Sequence, residues 1–146
     1  MLVHDLLLDS ANRAPGRQAL GLKTEALIYS DLAELTGRFA AGTLTADLEP
    51  SDRVAVYLPK TFETVIAFFG ASSAGGVFVP VNPLLKPAQV AYILKDCNVR
   101  ILVTSRDRLR QLNAAIEAGD LSHADGRKVE EPLAEALETE DGARVY

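Results

Sequence analysis

The chain has 146 residues, enough for one domain with a real core, and its 48% hydrophobic and 24% charged residues are those of an ordinary globular protein. A net charge of −5 argues against a nucleic-acid partner, which needs a basic face. Cys97 is the single cysteine, so an internal disulfide is excluded and a reducing compartment suits the chain.

The opening, Met1-Leu2-Val3-His4-Asp5, lacks the basic start of a secretory leader, and Asp5 and Asp9 interrupt its apolar residues. No stretch approaches the roughly 20 apolar residues of a membrane span. The expected location is cytoplasmic. Val3, Leu6, Leu7, Ser10 and Ala14 recur at helical spacing, which predicts an amphipathic helix stopped by Pro15-Gly16. Gln18 to Leu22 and Ala26 to Tyr29 are short strand-like runs joined by Lys23-Thr24-Glu25, as in a hairpin. Ser30 is placed to cap the next helix with its hydroxyl, with Asp31 and Glu34 in the first turn. Leu32, Leu35 and Phe39 give that helix its apolar stripe. Gly37 and Gly42 each cost about 1 kcal/mol there, so either something packs closely against them or the helix frays early.

Leu48-Glu49-Pro50-Ser51-Asp52 marks a turn. Val54 to Leu58 follows without polar alternation, as a strand covered on both faces should. Thr61 can cap a helix that is apolar nearly all round from Val65 to Ala71. Gly75-Gly76 makes a tight turn into a second strand, Val77 to Val81, which Pro80 pushes to the sheet's edge or the strand's end. Pro87 suits the first position of a helix in which Val90, Ile93, Leu94 and Cys97 fall at i, i+3, i+4 and i+7. Val99 to Val103 is the third strand. Ser105 can cap a further helix carrying Leu109, Leu112 and Ile116. Strand, helix, strand, helix, strand with short links predicts an α/β fold: a doubly wound, mainly parallel sheet with helices on both faces, preceded by a short hairpin. Strand order does not follow from the sequence. Residues 1–119 are expected to form this α/β subdomain. Residues 120–146 are polar and acidic, a linker or covering segment with one short helix candidate, Pro132 to Glu138.

Few side chains point to chemistry. The turn after the first buried strand, Pro59-Lys60-Thr61, has no glycine, and Gly75-Gly76 precede a strand, so neither supplies a phosphate-binding turn of the dinucleotide or P-loop type. There is no nucleophile elbow, and no Cys/His cluster has metal spacing. His4 and His123 read as solvated surface residues, and Cys97 as a small buried hydrophobe. Arg106, Arg108 and Arg110 read as a solvated basic face, with Arg108 turned away from the other two and Asp107 partly neutralising them. Lys60 and Lys86 stand where strands run into helices, the side of an open α/β sheet on which ligands bind.

Four stretches together carry a resemblance. Leu27-Ile28-Tyr29-Ser30-Asp31-Leu32 is similar to the first core motif of adenylate-forming enzymes, Leu/Ile-Thr-Tyr-x-Glu-Leu. Ser73 to Pro83 resembles their second, Lys-Ala-Gly-x-x-Tyr-x-Pro-Leu-Asp/Asn-Pro, with Ser73 in place of lysine and Phe78 in place of tyrosine. Pro50-Ser51-Asp52-Arg53-Val54 looks like the family's Pro-Gly-Asp-Arg-Val turn, and Pro87 to Asp96 like its Pro-x-Glu-Leu-x-x-x-Leu-x-Asp helix. The likeness spans nearly all of residues 2–105 in the right order.

The resemblance implies the N-terminal portion of an AMP-binding, acyl-CoA synthetase type ligase, which joins a carboxylic acid to ATP, releases pyrophosphate and passes the acyl group to CoA. For the full-length enzyme it implies ATP, magnesium and CoA as cofactors, and a small carboxylic acid as substrate. The family's Ser/Thr/Gly-rich phosphate loop, its adenine and ribose motifs and its C-terminal domain with the catalytic lysine are absent from this sequence. The chain alone is therefore expected to be inactive, to hold no cofactor and to contain no catalytic residue. One binding residue carries over: Leu84 stands where some relatives have an arginine that meets the phosphates of CoA, which leaves Lys86 as the nearest cation. Apolar surface left by missing partner domains predicts self-association. The competing reading is a stand-alone α/β binding or interaction module without catalysis. A receiver-like version needs acidic residues at the strands' carboxyl ends, where the sequence has Pro59-Lys60, Asn82-Pro83 and Thr104-Ser105.

Overall fold

The computed structural model describes residues 1–117 and the backbone of 144–145; the expectations for residues 120–143, including His123 and the Pro132 to Glu138 helix, lie outside the described residues. Its elements in chain order are α1 (Val3–Arg13), β1 (Gln18–Leu22), β2 (Glu25–Ile28), α2 (Tyr29–Thr45), β3 (Arg53–Tyr57), α3 (Phe62–Ser73), β4 (Val77–Pro80), α4 (Pro87–Asp96), β5 (Val99–Thr104), α5 (Arg106–Glu117) and β6 (Arg144–Val145). The fold is α/β, with a parallel sheet and helices. Contacts divide the chain into two compact units, Met1–Asp52 with Pro59–Phe78, and Arg53–Leu58 with Val79 onward.

In the first unit, α1, α2 and α3 pack on one another beside the β1–β2 hairpin. Leu7 of α1 and Leu32, Thr36, Ala40 and Thr43 of α2 are buried, a 3.6-residue stripe. The α2–α3 contact is close because Gly70 has no side chain: a Cβ there would overlap the ring of Phe39. Gly37 and Gly42 fit neither expectation. α2 runs unbroken through both, and nothing lies within 4 Å of a Cβ built on either. Neither close packing nor fraying explains them, and nothing in the structure does.

The cap of α2 also differs from expectation. The cap position is Ile28, and Ser30 lies inside the first turn with its hydroxyl on Asp31 Oδ1 at 3.2 Å. Here the backbone of the preceding loop satisfies the helix start instead: Tyr29 N–H donates to Arg17 O and Ser30 N–H to Pro15 O, each at 3.0 Å. Thr61 does occupy the cap position of α3, although its hydroxyl makes no capping bond, and Pro87 is the first residue of α4. Helix α3 ends in a Schellman turn. Gly75 adopts φ +82°, Gly75 N–H donates to Ser72 O at 3.1 Å, and Gly76 N–H reaches back to Ala71 O at 2.8 Å.

The second unit holds the sheet's centre. The strand order is β4-β3-β5-β6. β3 and β5 are parallel, with Val54 opposite Ile101 and Tyr57 opposite Thr104. β4 runs in the same direction as β3, since Val77 N–H donates to Asp52 O and Val81 N–H to Val56 O. The two residues of β6 pair antiparallel with the end of β5. Pro80 thus sits on the edge strand, where its missing N–H costs no ladder bond. Val54, Ala55, Val56 and Tyr57 are all at most 3% exposed, so both faces of β3 are covered. On one face Ala55, Tyr57 and Leu102 meet Val90, Ala91 and Leu94 of α4 and Leu109, Leu112 and Ile116 of α5.

Candidate functional site at the carboxyl edge of the sheet

From β3 the chain goes to β4 on one side, and from β4 it returns past β3 to become β5. The direction of winding therefore reverses between β3 and β5. At such a reversal the loops leaving neighbouring strands part, and the crevice at their carboxyl ends is where ligands bind in open α/β sheets. Here those ends are Tyr57 and Thr104.

Both are buried and both are engaged. The Thr104 hydroxyl donates to Tyr57 O at 2.8 Å, tying the two strand ends together beyond the ladder. The phenol of Tyr57 donates to Leu85 O at 2.8 Å. Over its ring lies Arg108, with the guanidinium carbon 4.3 Å from the centroid, and Arg108 Nη1 donates to Pro83 O at 2.9 Å. A cation over a phenol face is favourable by about 0.5–2 kcal/mol, depending on desolvation.

These bonds fix the loop that follows β4. Asn82 starts it by accepting twice, from Leu84 N–H at its side-chain oxygen (3.0 Å) and from Leu85 N–H at its carbonyl (3.1 Å). Lys86 N–H donates to the Gln89 side chain at 3.0 Å, one half of a capping box at the start of α4. Most of the backbone polar groups from Asn82 to Lys86 thus have partners, and the loop is a rigid projection. Leu85 packs against the core, whereas Leu84 is 88% exposed and Lys86 is exposed as well. A held loop carrying one exposed cation and no carboxylate is suited to meet an anion.

Arg108 is turned away from Arg110 as expected, but it corrects the expectation of a solvated face, because it turns toward Tyr57. It lies on the inner flank of α5, in line with Leu112 at i+4 and Ile116 at i+8, so the helical periodicity contained the signal. Arg110 stays on the surface in a pair with Asp107 at 3.5 Å. Ser105 caps α5 as expected, through Arg108 N–H at 3.4 Å. His4 is a second correction. It is half-buried in the first unit, with Nδ1 3.0 Å from Ser72 Oγ and Nε2 3.6 Å from Asp5. Cys97 is half-buried rather than buried; it ends α4, and its carbonyl accepts Arg53 Nε at 2.8 Å. Lys60 is exposed in the first unit with no role that the structure assigns. No helix among the described residues is long and apolar enough to cross a membrane.

The model of one protein family, described as AMP-binding enzyme, matches residues 7–144. The chain belongs to that family. Among AMP-binding relatives, it is 34% identical over 102 residues to a long-chain-fatty-acid–CoA ligase of Bacillus subtilis, covering 70% of this chain and 18% of the ligase. It is 26% identical over 113 residues to tyrocidine synthase 3 of Brevibacillus parabrevis, covering 77% of this chain and 2% of that protein. Among solved structures, a benzoate CoA ligase from Burkholderia xenovorans superimposes with a TM-score of 0.74 at 27% identity, over 84% of this chain and 25% of that one. The chain therefore spans less than a fifth of the length of these curated AMP-binding relatives.

Proposed function

We propose that the chain is the N-terminal portion of an ATP-dependent, AMP-forming carboxylic acid–thiol ligase, and that Lys86 meets a phosphate of its CoA acceptor. The reaction class is acid plus ATP to acyl-adenylate plus pyrophosphate, then acyl-adenylate plus CoA thiol to acyl-CoA plus AMP. ATP with magnesium supplies the activated phosphoanhydride and the charge offset, and CoA supplies the thiol. No residue of this chain is assigned to those steps. The chain's own contribution is positional.

The observation that carries the CoA assignment is the fixed loop. Tyr57 and Arg108 grip the carbonyls of Leu85 and Pro83, on either side of the exposed Leu84, and so hold the backbone from which the exposed Lys86 side chain extends. An ammonium is a point charge that suits a phosphate without demanding a forked geometry. The 34% identity to a CoA ligase supports the same reading. In the ligase, Lys86→Ala should raise KM for CoA several-fold while leaving KM for ATP and acid unchanged, because truncation spares the backbone bond to Gln89. An unchanged KM for CoA would remove Lys86 from the site.

A further inference from the structure

A second polar concavity lies in the first unit, built from the end of α1, the loop after it, the start of β1 and the first residue of α2. It has a volume of about 520 Å³ and is lined by Ser10, Arg13, Ala14, Arg17, Gln18 and Tyr29. The ligase reading uses none of these residues.

Its chemistry is one-sided. Two arginines, Arg13 and Arg17, are among its lining residues and no Asp or Glu is, in a chain whose net charge is −5. Arg13 uses one of its five donors, Nε, on Asp9 O at 3.3 Å, and neither arginine forms an ion pair with a described residue. Tyr29 and Gln18 are its neutral polar lining residues, whereas the Ser10 hydroxyl is turned onto Leu6 O at 2.8 Å. The walls are fixed by backbone bonds: Arg17 N–H to Ala14 O at 3.1 Å, Tyr29 N–H to Arg17 O and Ser30 N–H to Pro15 O. Those bonds occupy the first N–H groups of α2, so recognition falls to the side chains.

We infer that this crevice binds the phosphoryl group of a small phosphorylated molecule, with Arg13 and Arg17 as its two charged partners. Guanidinium groups meet phosphate oxygens in forked pairs, and two of them match a dianion in charge. The volume falls within the 300–1,000 Å³ typical of small-molecule sites and exceeds what a bare phosphate fills, which favours an organic phosphate.

The test is a titration of the isotope-labelled 146-residue chain, following the amide resonances of Arg13, Arg17 and Tyr29. The probes are inorganic phosphate and glucose 6-phosphate, with sodium acetate at matched ionic strength as control. Saturable, localised shifts with glucose 6-phosphate are expected, tighter than with phosphate; equal affinity would restrict the ligand to the bare anion and still support the site. Arg13→Gln with Arg17→Gln should weaken binding about tenfold or more, and the double lysine variant, which keeps charge but loses the fork, should fall between. Both positions are exposed, so the variants should keep the parent spectrum elsewhere. Shifts that do not saturate, that acetate reproduces, or that survive in the double glutamine variant would overturn the proposal.

Discussion

Three glycines in two neighbouring helices should respond to alanine with opposite signs. Helix propensity alone gives each Gly→Ala substitution in a helix interior about 0.8–1.0 kcal/mol of stabilisation. For Gly37 and Gly42 nothing opposes that gain, because an added Cβ has no neighbour within 4 Å. For Gly70 the Cβ would overlap the Phe39 ring and come within 3.2 Å of Phe39 Cβ, so rotating the ring does not relieve it and the helices must part. Overpacking of this kind costs about 1–3 kcal/mol, which exceeds the propensity gain over most of its range. Gly37→Ala and Gly42→Ala should therefore each raise the melting temperature by about 3 °C, while Gly70→Ala lowers it by up to about 6 °C. The double variant Phe39→Leu with Gly70→Ala should show favourable coupling relative to the two single changes. Thermal and urea denaturation of the 146-residue chain measure all of these. A Gly70→Ala variant as stable as Gly37→Ala, or a cycle with no coupling, would refute the close α2–α3 contact.

Other outcomes follow from single contacts. Tyr57→Phe removes the donor to Leu85 O and should cost about 1 kcal/mol by urea denaturation, with extra hydrogen exchange confined to the loop from Asn82 to Lys86. Leu112, fully buried between strands and helices of the second unit, should cost about 2–5 kcal/mol as alanine in the same assay. Thr36 is buried with no hydrogen-bond partner for its hydroxyl among the described residues, so the near-isosteric Thr36→Val should stabilise the chain by about 1 kcal/mol.

Apolar pattern made most of the fold legible. An unbroken apolar run cannot face water on either side, so Val54 to Leu58 pointed to a covered central strand, and Pro80 pointed to the edge. Strand order was not legible because short links constrain which elements follow, not which side of β3 each takes. At the site, Lys86 was visible as a cation between strand and helix, but its support was not. Arg108 hid because charge suggested solvent, although its spacing to Leu112 and Ile116 placed it beside the buried stripe. Tyr57 looked like one more core residue, and only three-dimensional proximity shows its hydroxyl on a carbonyl 28 residues away. Ser30 misled for a different reason. A capping hydroxyl is dispensable when backbone carbonyls, here Pro15 and Arg17, already meet the helix start.

The most direct measurement is product formation by the ligase proposed to contain this chain, supplied with magnesium, ATP, CoA and a panel of fatty and aromatic acids, and followed by mass spectrometry. The account predicts acyl-CoA with stoichiometric AMP and pyrophosphate, and no pyrophosphate exchange above background from the 146-residue chain alone. Acyl-adenylate that never reaches CoA, or exchange by the chain alone, would contradict it.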